Sequence, residues 1–442
     1  MRKVLLATTA LGLGAGAAFA QDPMMDMAPS ITLSGDAEMG VVGSKDDSVR
    51  FHTDVNVKFT MTGTTDAGVE FGTNVDLNDI EDPGATSTNG SNDTTNDDDN
   101  HGGIAIHMSD PDGFGTLTMG DTDGAYDWAM TEIGSGGIRD DSEHGAYNGN
   151  SGLDGKHDGQ ILRWDRAIGS GFSMAASVEL NDDLGGKPGG DTMDPILGLG
   201  GTFAMPMGAG TVTLGGGYQM GSFDHTIRKG GDNPATPANE AEVIWGSDKA
   251  TVVGNVGTAA GADVVKGRTV AGYEVDGTIV GGSAKMDFGG DQGGLSVALN
   301  ASVMEADGRN VTGTGARAIT RTADVESTHL GLGIGYTVGA ISLGINVGTK
   351  NTESTVDPNN QANAVTDPHY TVDETVNGIG FDVAYDLGGG AALKFGVGSH
   401  ETESDYTYRG ITDAETLSGG GEDGHDRSVD SSKWSLGVAF KF

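Results

Sequence analysis

Apolar and polar residues alternate with a period of two along most of the chain. Residues 49–63 are a clear case, because five apolar side chains share one face and the other face is polar. The apolar members are Phe51, Val55, Val57, Phe59 and Met61. This pattern predicts β-strands with one apolar face. The alternating segments run for about ten residues or more, the length of a tilted strand that crosses a bilayer.

Short and long spacers separate these segments in turn. The short spacers are tight turns such as Pro111 to Gly113, and the long ones are rich in Asp, Asn, Gly and Thr. Such an order predicts an antiparallel meander whose long loops all lie at one end, as in outer-membrane barrels. The predicted strands are 30–42, 49–63, 67–78, 103–110, 114–120, 158–168, 171–181, 196–205, 210–222, 268–288, 293–304, 326–337, 340–350, 375–387, 391–402 and 432–442.

The expected fold is therefore all-β, a closed antiparallel up-and-down transmembrane barrel of sixteen strands. An even number of strands places both termini at the periplasmic end. Residues 223–267 are the weakest part of this prediction, since they could hold two further strands and raise the number to eighteen.

One stretch, from Gly120 to Asn150, interrupts the alternation. It is full of acidic residues and glycines, and its one potential helical turn, Ala125 to Glu132, is short. Loops of this length within a domain are usually functional or disordered. Following the fifth predicted strand, it is a candidate for the functional loop.

The N-terminus has the features of a secretory signal. Arg2 and Lys3 precede an apolar stretch, and Ala18-Phe19-Ala20 forms a cleavage site, so we expect removal of residues 1–20 and a single barrel domain over residues 21–442. With 0 Cys, the exported chain has no disulfides, and extensive backbone pairing must supply its stability.

The composition is strongly acidic, with 64 Asp and Glu against 25 Lys and Arg and a formal net charge of −39. This charge argues against nucleic acid as a partner. It also suggests a channel that moderately prefers cations, because cations concentrate at its mouths.

The last predicted strand ends the chain on an aromatic residue. Phe440 and Phe442 share the apolar face of the segment KWSLGVAFKF. We interpret these two residues as a C-terminal assembly signal. Pairing of this strand with the first would close the barrel and remove exposed sheet edges.

Several segments resemble the general diffusion porins of alphaproteobacteria, the Rhodobacter type. They include ITLSGDAEMGV, VKFTMTGTTDAGVEFG, GTLTMGD, FSMAASVE, YDLGGGA and the terminal LGVAFKF. The resemblance implies a sixteen-stranded homotrimer in outer-membrane lipid and lipopolysaccharide, with passive diffusion of ions and small hydrophilic solutes. It also implies that the third external loop, here residues 121–157, folds into the barrel and narrows it.

Candidate pore residues follow from this placement. The loop would contribute acidic residues to the constriction: Asp121, Asp123, Asp127, Glu132, Asp140, Asp141 and Glu143. By strand parity, the wall would contribute Arg50, His52, Lys58 and Arg163, whereas Lys285 and Lys394 would lie nearer the periplasmic mouth. Acidic residues on the loop that face basic residues on the wall would set up a transverse electric field across the constriction. The alternative is that the loop lies outside the barrel and its charges are solvated.

The sequence gives no sign of catalysis or of a required cofactor. It lacks HExxH, GxSxG and P-loop motifs. The acidic segment Asn92 to Asn100 offers carboxylates for a structural calcium ion, although it lacks the spacing of an EF-hand. The resemblance implies a structural calcium ion near the constriction loop without indicating its ligands. The alternative functions are a secreted acidic calcium-binding or adhesion β-protein and, less favoured, an outer-membrane barrel enzyme.

Overall fold

The computed structural model describes the barrel wall and parts of its connections. The described residues are 29–45, 48–77, 103–133, 137–138, 150–157, 160–180, 194–228, 270–290, 293–312, 319–358, 369–409 and 427–442. The predicted signal peptide, the segment Asn92 to Asn100 and the loop residues Asp140, Asp141 and Glu143 lie outside these ranges.

Sixteen strands and one short helix make up the described structure. The helix is α1 (Ala125–Ala129). The strands are β1 (Ser30–Ser44), β2 (Arg50–Thr64), β3 (Glu70–Leu77), β4 (Ile104–Asp110), β5 (Gly115–Gly120), β6 (Ile161–Gly169), β7 (Phe172–Glu179), β8 (Ile196–Met207), β9 (Gly210–Arg228), β10 (Val270–Gly290), β11 (Gly293–Thr312), β12 (Ile319–Val338), β13 (Ile341–Pro358), β14 (His369–Gly388), β15 (Ala391–Arg409) and β16 (Arg427–Lys441).

Each strand pairs antiparallel with its neighbours in sequence, and β1 pairs with β16, so the sheet closes into a barrel. The predicted closed meander of sixteen strands is confirmed. Strands β9 and β10 pair directly with each other, from Val270 opposite Arg228 to Phe288 opposite Gly210. The barrel wall therefore closes with sixteen strands, and β9 and β10 are direct neighbours in it.

The predicted bounds were too short on one side of the barrel. Strands β11 to β15 each extend six to eight residues further at the loop end than their alternation indicated. In β11, for example, the extension carries Glu305 and Asp307 on the outward face, where the lower part of the strand carries Val303 and Leu299. Outward residues above the lipid meet water, so the apolar alternation that marks a strand is lost there.

The barrel is apolar outside and polar inside. Large exposed apolar side chains such as Leu199, Val280 and Ile345 face outward, whereas their inward neighbours are small or polar. The largest buried apolar cluster lies inside the barrel and joins the β5–β6 loop to inward apolar residues of β8 to β12 and β14. In the described part of the chain, no helix is long and apolar enough to cross a membrane.

Candidate functional site

The β5–β6 loop, residues 121–160, begins and ends on the inner face of β6, β7 and β9. Asp154 accepts a hydrogen bond from the Gly124 backbone N–H at 2.7 Å and another from the Gln219 side chain of β9. The Gln219 Oε1 atom in turn accepts from the Leu153 N–H at 2.7 Å. Gln219 therefore ties the returning arm of the loop to the wall, and Asp154 ties that arm to the outgoing one.

Strand β7 holds both arms as well. Ser177 Oγ accepts from the Ala125 N–H at 2.8 Å, and the buried Glu179 carboxylate accepts from the N–H groups of Gly155 and His157 at 3.1 and 3.0 Å. These wall side chains satisfy loop backbone groups that would otherwise be buried without partners, a costly situation.

Helix α1 lies flat on a surface of glycines. A Cβ atom at Gly200 or Gly215 would collide with the backbone carbonyls of Ala125 or Ala129, and one at Gly217 or Gly281 would overlap Tyr126. We call this surface the glycine face and define it as Gly200, Gly215, Gly217, Gly281 and Gly333. Without side chains at these positions, the helix backbone approaches the strands directly.

Beyond the helix, the loop continues along the wall over β10, β11 and β12. The Thr131 N–H donates to Ser283 Oγ at 2.9 Å, and its carbonyl accepts from Asn300 Nδ2 at 2.8 Å. Ile133, buried, packs against Gly333. The returning arm binds the same wall, since Asn150 hydrogen-bonds Asn300 at 2.9 Å.

The far end of the loop reaches β15, β16 and β1. The Gly137 carbonyl accepts from Lys394 Nζ at 3.3 Å, and the Ile138 N–H donates to Ser435 Oγ at 3.3 Å. Ile138 is completely buried. Lys394 therefore contacts the loop, although its position close to a short turn suggested the periplasmic mouth.

The inner wall from β2 to β6 carries charged side chains and lines a cavity of about 330 Å³. Lys58, Arg163, Asp121 and Asp123 meet in this cavity, together with Asp76, His107 and several small residues. We call this surface the charged face and define it as Lys58, Asp76, His107 and Arg163. The structure thus brings together two of the predicted loop acids and two of the predicted wall bases.

The bases of the charged face lie close to acids of the same wall. Lys58 Nζ lies 3.1 Å from Asp76 Oδ2, and Arg163 Nε lies 3.3 Å from Asp165 Oδ1. Arg163 also donates to the backbone carbonyl of Asp123 at 2.7 Å. Cross-strand register explains the first pair, because Lys58 and Asp76 are direct partners on β2 and β3.

The remaining predicted residues are distributed around the barrel. His52 lies 3.6 Å from Glu38 on β1, and Arg50 stands at the start of β2. Glu132 lines a second cavity, of about 550 Å³, together with Lys285, Asp287 and Asp382. Phe440 and Phe442 stack at the end of the chain with ring centroids 6.4 Å apart.

Two buried carboxyl groups at the base of the loop have raised pKa values. Burial, and next the charges of Asp123, Asp154 and Glu132, raise the pKa of Asp127 to about 7. Burial also raises the pKa of Asp154 to about 6, although its hydrogen bonds to Gly124 and Gln219 oppose the shift. Burial is therefore the main cause that raises the pKa of both carboxyl groups in the helix α1 region.

Among the described residues, no three His, Asp or Glu side chains are arranged to hold a metal ion. Asp154 accepts hydrogen bonds from Gly124 and Gln219. The described part of the loop therefore does not place ligands for the structural calcium that the resemblance implied.

The glycine face was missed by sequence reasoning. Four of its five members are inward residues next to an outward glycine, as in the pairs Gly200-Gly201 and Gly215-Gly216, and Gly333 is the exception. The signal was available, since glycine weakens a strand unless a backbone comes close. Only the position of the loop shows which inward glycines are contacted.

A closed sixteen-stranded barrel with an inner loop and a polar, charged interior defines the class of β-barrel channels of the outer membrane. Residues 7–405 match the family model for the Gram-negative porin. The chain belongs to this family and is an outer-membrane porin. The resemblance seen in the sequence is thereby confirmed at the level of the family.

Solved structures with similar folds include porins. The chain is similar to a porin refined at 1.8 Å resolution, with 22% identity, a TM-score of 0.49 and coverage of 93% of this chain and 100% of that one. It is similar to OmpT of Vibrio cholerae, with 11% identity, a TM-score of 0.49 and coverage of 94% and 98%. It is also similar to a triple mutant of the Rhodopseudomonas blastica porin, with 15% identity, a TM-score of 0.44 and coverage of 93% of this chain and 100% of that one. No curated protein matches the chain.

Proposed function

We propose that the β5–β6 loop is the constriction of a passive diffusion channel for ions and small hydrophilic solutes. The observation that supports this most is the attachment of the loop to inward side chains from β7 to β11 and again at β16. Solutes then pass between the loop and the charged face. The transport is passive and involves neither catalysis nor a cofactor.

The constriction prefers cations moderately. Lys58, Arg163, Lys285 and Lys394 each lie within 3.5 Å of a carboxylate oxygen, so nearby acids offset their charges. Asp121 and Asp123 add negative charge to the cavity of the charged face. The reversal potential in a salt gradient tests this selectivity, and a preference for anions would contradict it.

The functional unit is a homotrimer joined along β3, β4 and β5. These strands have 8, 7 and 6 residues, fewer than the about 9–11 residues that a tilted membrane strand needs. Their outward side chains are apolar and exposed, among them Phe71, Ile106 and Met119. Neighbouring copies would cover this low, apolar wall, and the remaining outer surface would meet lipid and lipopolysaccharide.

Conductance in a planar bilayer tests both proposals together. The purified protein should insert in events of three equal current steps. A refolded protein without conductance would refute the channel, and single steps of one size would refute the trimer.

Two smaller proposals concern assembly and calcium. Phe440 and Phe442 act as the C-terminal assembly signal, so deletion of Phe442 should reduce the amount of folded protein in the outer membrane.

Thermal unfolding with calcium and with a chelator tests whether segments such as Asn92 to Asn100 hold a structural calcium ion. A midpoint that does not change would exclude it.

A further inference from the structure

The far end of the β5–β6 loop is fixed at the seam where the barrel closes. Gly40 of β1 and Gly437 of β16 are direct partners across this seam. A Cβ atom on either glycine would collide with the Ile138 side chain. The two glycines thus leave a notch that Ile138 fills, and there the isoleucine is completely buried.

Polar contacts surround this notch. The Ile138 N–H donates to Ser435 Oγ at 3.3 Å, and Lys394 Nζ donates to the Gly137 carbonyl at 3.3 Å. Lys394 also contacts Glu38 Oε1 at 3.2 Å, which holds the ammonium group close to the loop. We call Gly40, Gly437, Ser435, Lys394 and Ile138 the tip contact.

The tip contact is separate from the other described attachments of the outgoing arm. Before Gly137, the last described attachment of that arm is Ile133 against Gly333 on β12. Four residues later the loop is held by β15, β16 and β1. The tip contact therefore supplies the described attachment of Gly137 and Ile138 to this side of the wall.

We propose that the tip contact fixes the cross-section of the pore, with Ile138 and Lys394 as positioning residues for the constriction. This inference rests on the proposed role of the loop as the constriction. A buried apolar side chain and two hydrogen bonds hold the loop in one place, so the docked channel conducts steadily. A released tip moves within the lumen and interrupts the current.

A disulfide at the tip contact tests the proposal within one molecule. The chain has 0 Cys, so the double variant Ile138→Cys/Ser435→Cys carries a single pair of thiols, on residues that a backbone-to-side-chain hydrogen bond joins. In its oxidised form we expect a steady open channel like that of the parent. Reduction removes the tether, and brief current interruptions should become at least about tenfold more frequent, because a lost buried isoleucine weakens docking by more than that factor.

Three controls make the outcome decisive. Ser435→Cys alone should show no difference between oxidising and reducing conditions. Ile138→Ala should behave like the reduced double variant, which provides a second reading if the cysteine pair impairs folding. Ile345→Ala removes an outward isoleucine that is 49% exposed, and it should leave the current steady.

Two results would overturn the proposal. One is a thermal unfolding midpoint of Ile138→Ala equal to that of the parent, because the isoleucine would then not be buried at the seam. The other is an identical current pattern in the oxidised and reduced forms and in Ile138→Ala. A parent protein that does not conduct would refute the proposed channel itself, so the two failures are distinguishable.

Discussion

The glycine face and the charged face are opposite solutions for the inside of one barrel. On the glycine face, five inward positions of β8, β9, β10 and β12 carry no side chain, and the β5–β6 loop packs against the backbone there. On the charged face, inward positions of β2, β3, β4 and β6 carry Lys58, Asp76, His107 and Arg163 around a cavity of about 330 Å³. Both faces use strands of the same sheet with the same alternation.

The difference shows that the size of inward side chains determines where the loop lies. A loop backbone brings polar groups that need partners, and the wall around the glycine face supplies Ser177, Gln219, Ser283 and Asn300 for them. On the charged face, the charged side chains are in contact with water, which solvates them favourably. The cavity beside the loop therefore lies along the charged face.

The largest expected effect comes from Gln219, which anchors the loop beside the glycine face. Gln219→Ala leaves the buried Leu153 N–H without its acceptor and removes one of the two donors to Asp154, so that only the Gly124 N–H remains. We expect a loss of about 2–4 kcal/mol in the free energy of unfolding. Denaturant unfolding measures it, and Met220→Ala, an outward neighbour, is the control. Equal losses in the two variants would contradict the anchoring role.

A methyl group on the glycine face should also destabilise the protein. Gly215→Ala places a Cβ against the Ala129 carbonyl, and the overpacking should cost about 1–3 kcal/mol. In Gly216→Ala the nearest atom is the Gly281 carbonyl oxygen at 3.7 Å, so no loss is expected. Thermal unfolding of the pair measures the difference, and a Gly215→Ala variant as stable as the parent would show that the helix is not in contact there.

The pH dependence of the free energy of unfolding should reveal the contribution of Asp127, at the base of the loop. The pKa of Asp127 is raised to about 7, so its contribution to loop stability is complete below about pH 4 and is lost as the pH rises through 7. The groups that act on it are Asp123, Asp154, Glu132 and Arg163. Asp127→Asn should therefore raise stability at pH 8 relative to the parent by about 1–3 kcal/mol and should change it little at pH 4. Thermal unfolding at both pH values measures this, and an equal effect at both would contradict it.

The charged face should give the smallest change in stability. Lys58 and Asp76 are partly exposed, and such a pair contributes about 0–1 kcal/mol. Lys58→Met should instead alter selectivity, because the unpaired Asp76 adds negative charge to the cavity. The reversal potential should shift toward cations, and Asp76→Asn should shift it the other way. Shifts of the same sign would contradict the pairing.

Much of the fold could be predicted because lipid and water impose a simple rule on each strand. Where one face meets lipid, as in β2, the apolar alternation locates the strand within a residue or two. Where the outward face extends beyond the lipid, as above Val303 in β11, both faces of the strand are polar. The alternation is lost there, and the strand ends were missed. The predicted helical turn, Ala125 to Glu132, was also too long, since α1 ends at Ala129. The Thr131 backbone instead forms hydrogen bonds with the Ser283 and Asn300 side chains.

The site was harder to predict, because contacts inside the barrel depend on register and on the path of the loop. Counting back from the short turn after Thr64 would have paired Lys58 with Asp76. No local rule places Ile138 at the seam of β1 and β16, almost 300 residues away from Ser435 in the sequence. The glycines acquire their meaning only from the loop that covers them.

The central claim is that the loop lies on the glycine face and narrows the pore, and the pair Gly200→Ala and Gly201→Ala tests it most directly by single-channel conductance. A methyl group at Gly200 meets the Ala125 carbonyl and pushes helix α1 toward the charged face, whereas one at Gly201 has no atom closer than 3.7 Å. The account predicts a lower conductance for Gly200→Ala and the parent value for Gly201→Ala. Equal conductance in the two variants would contradict it.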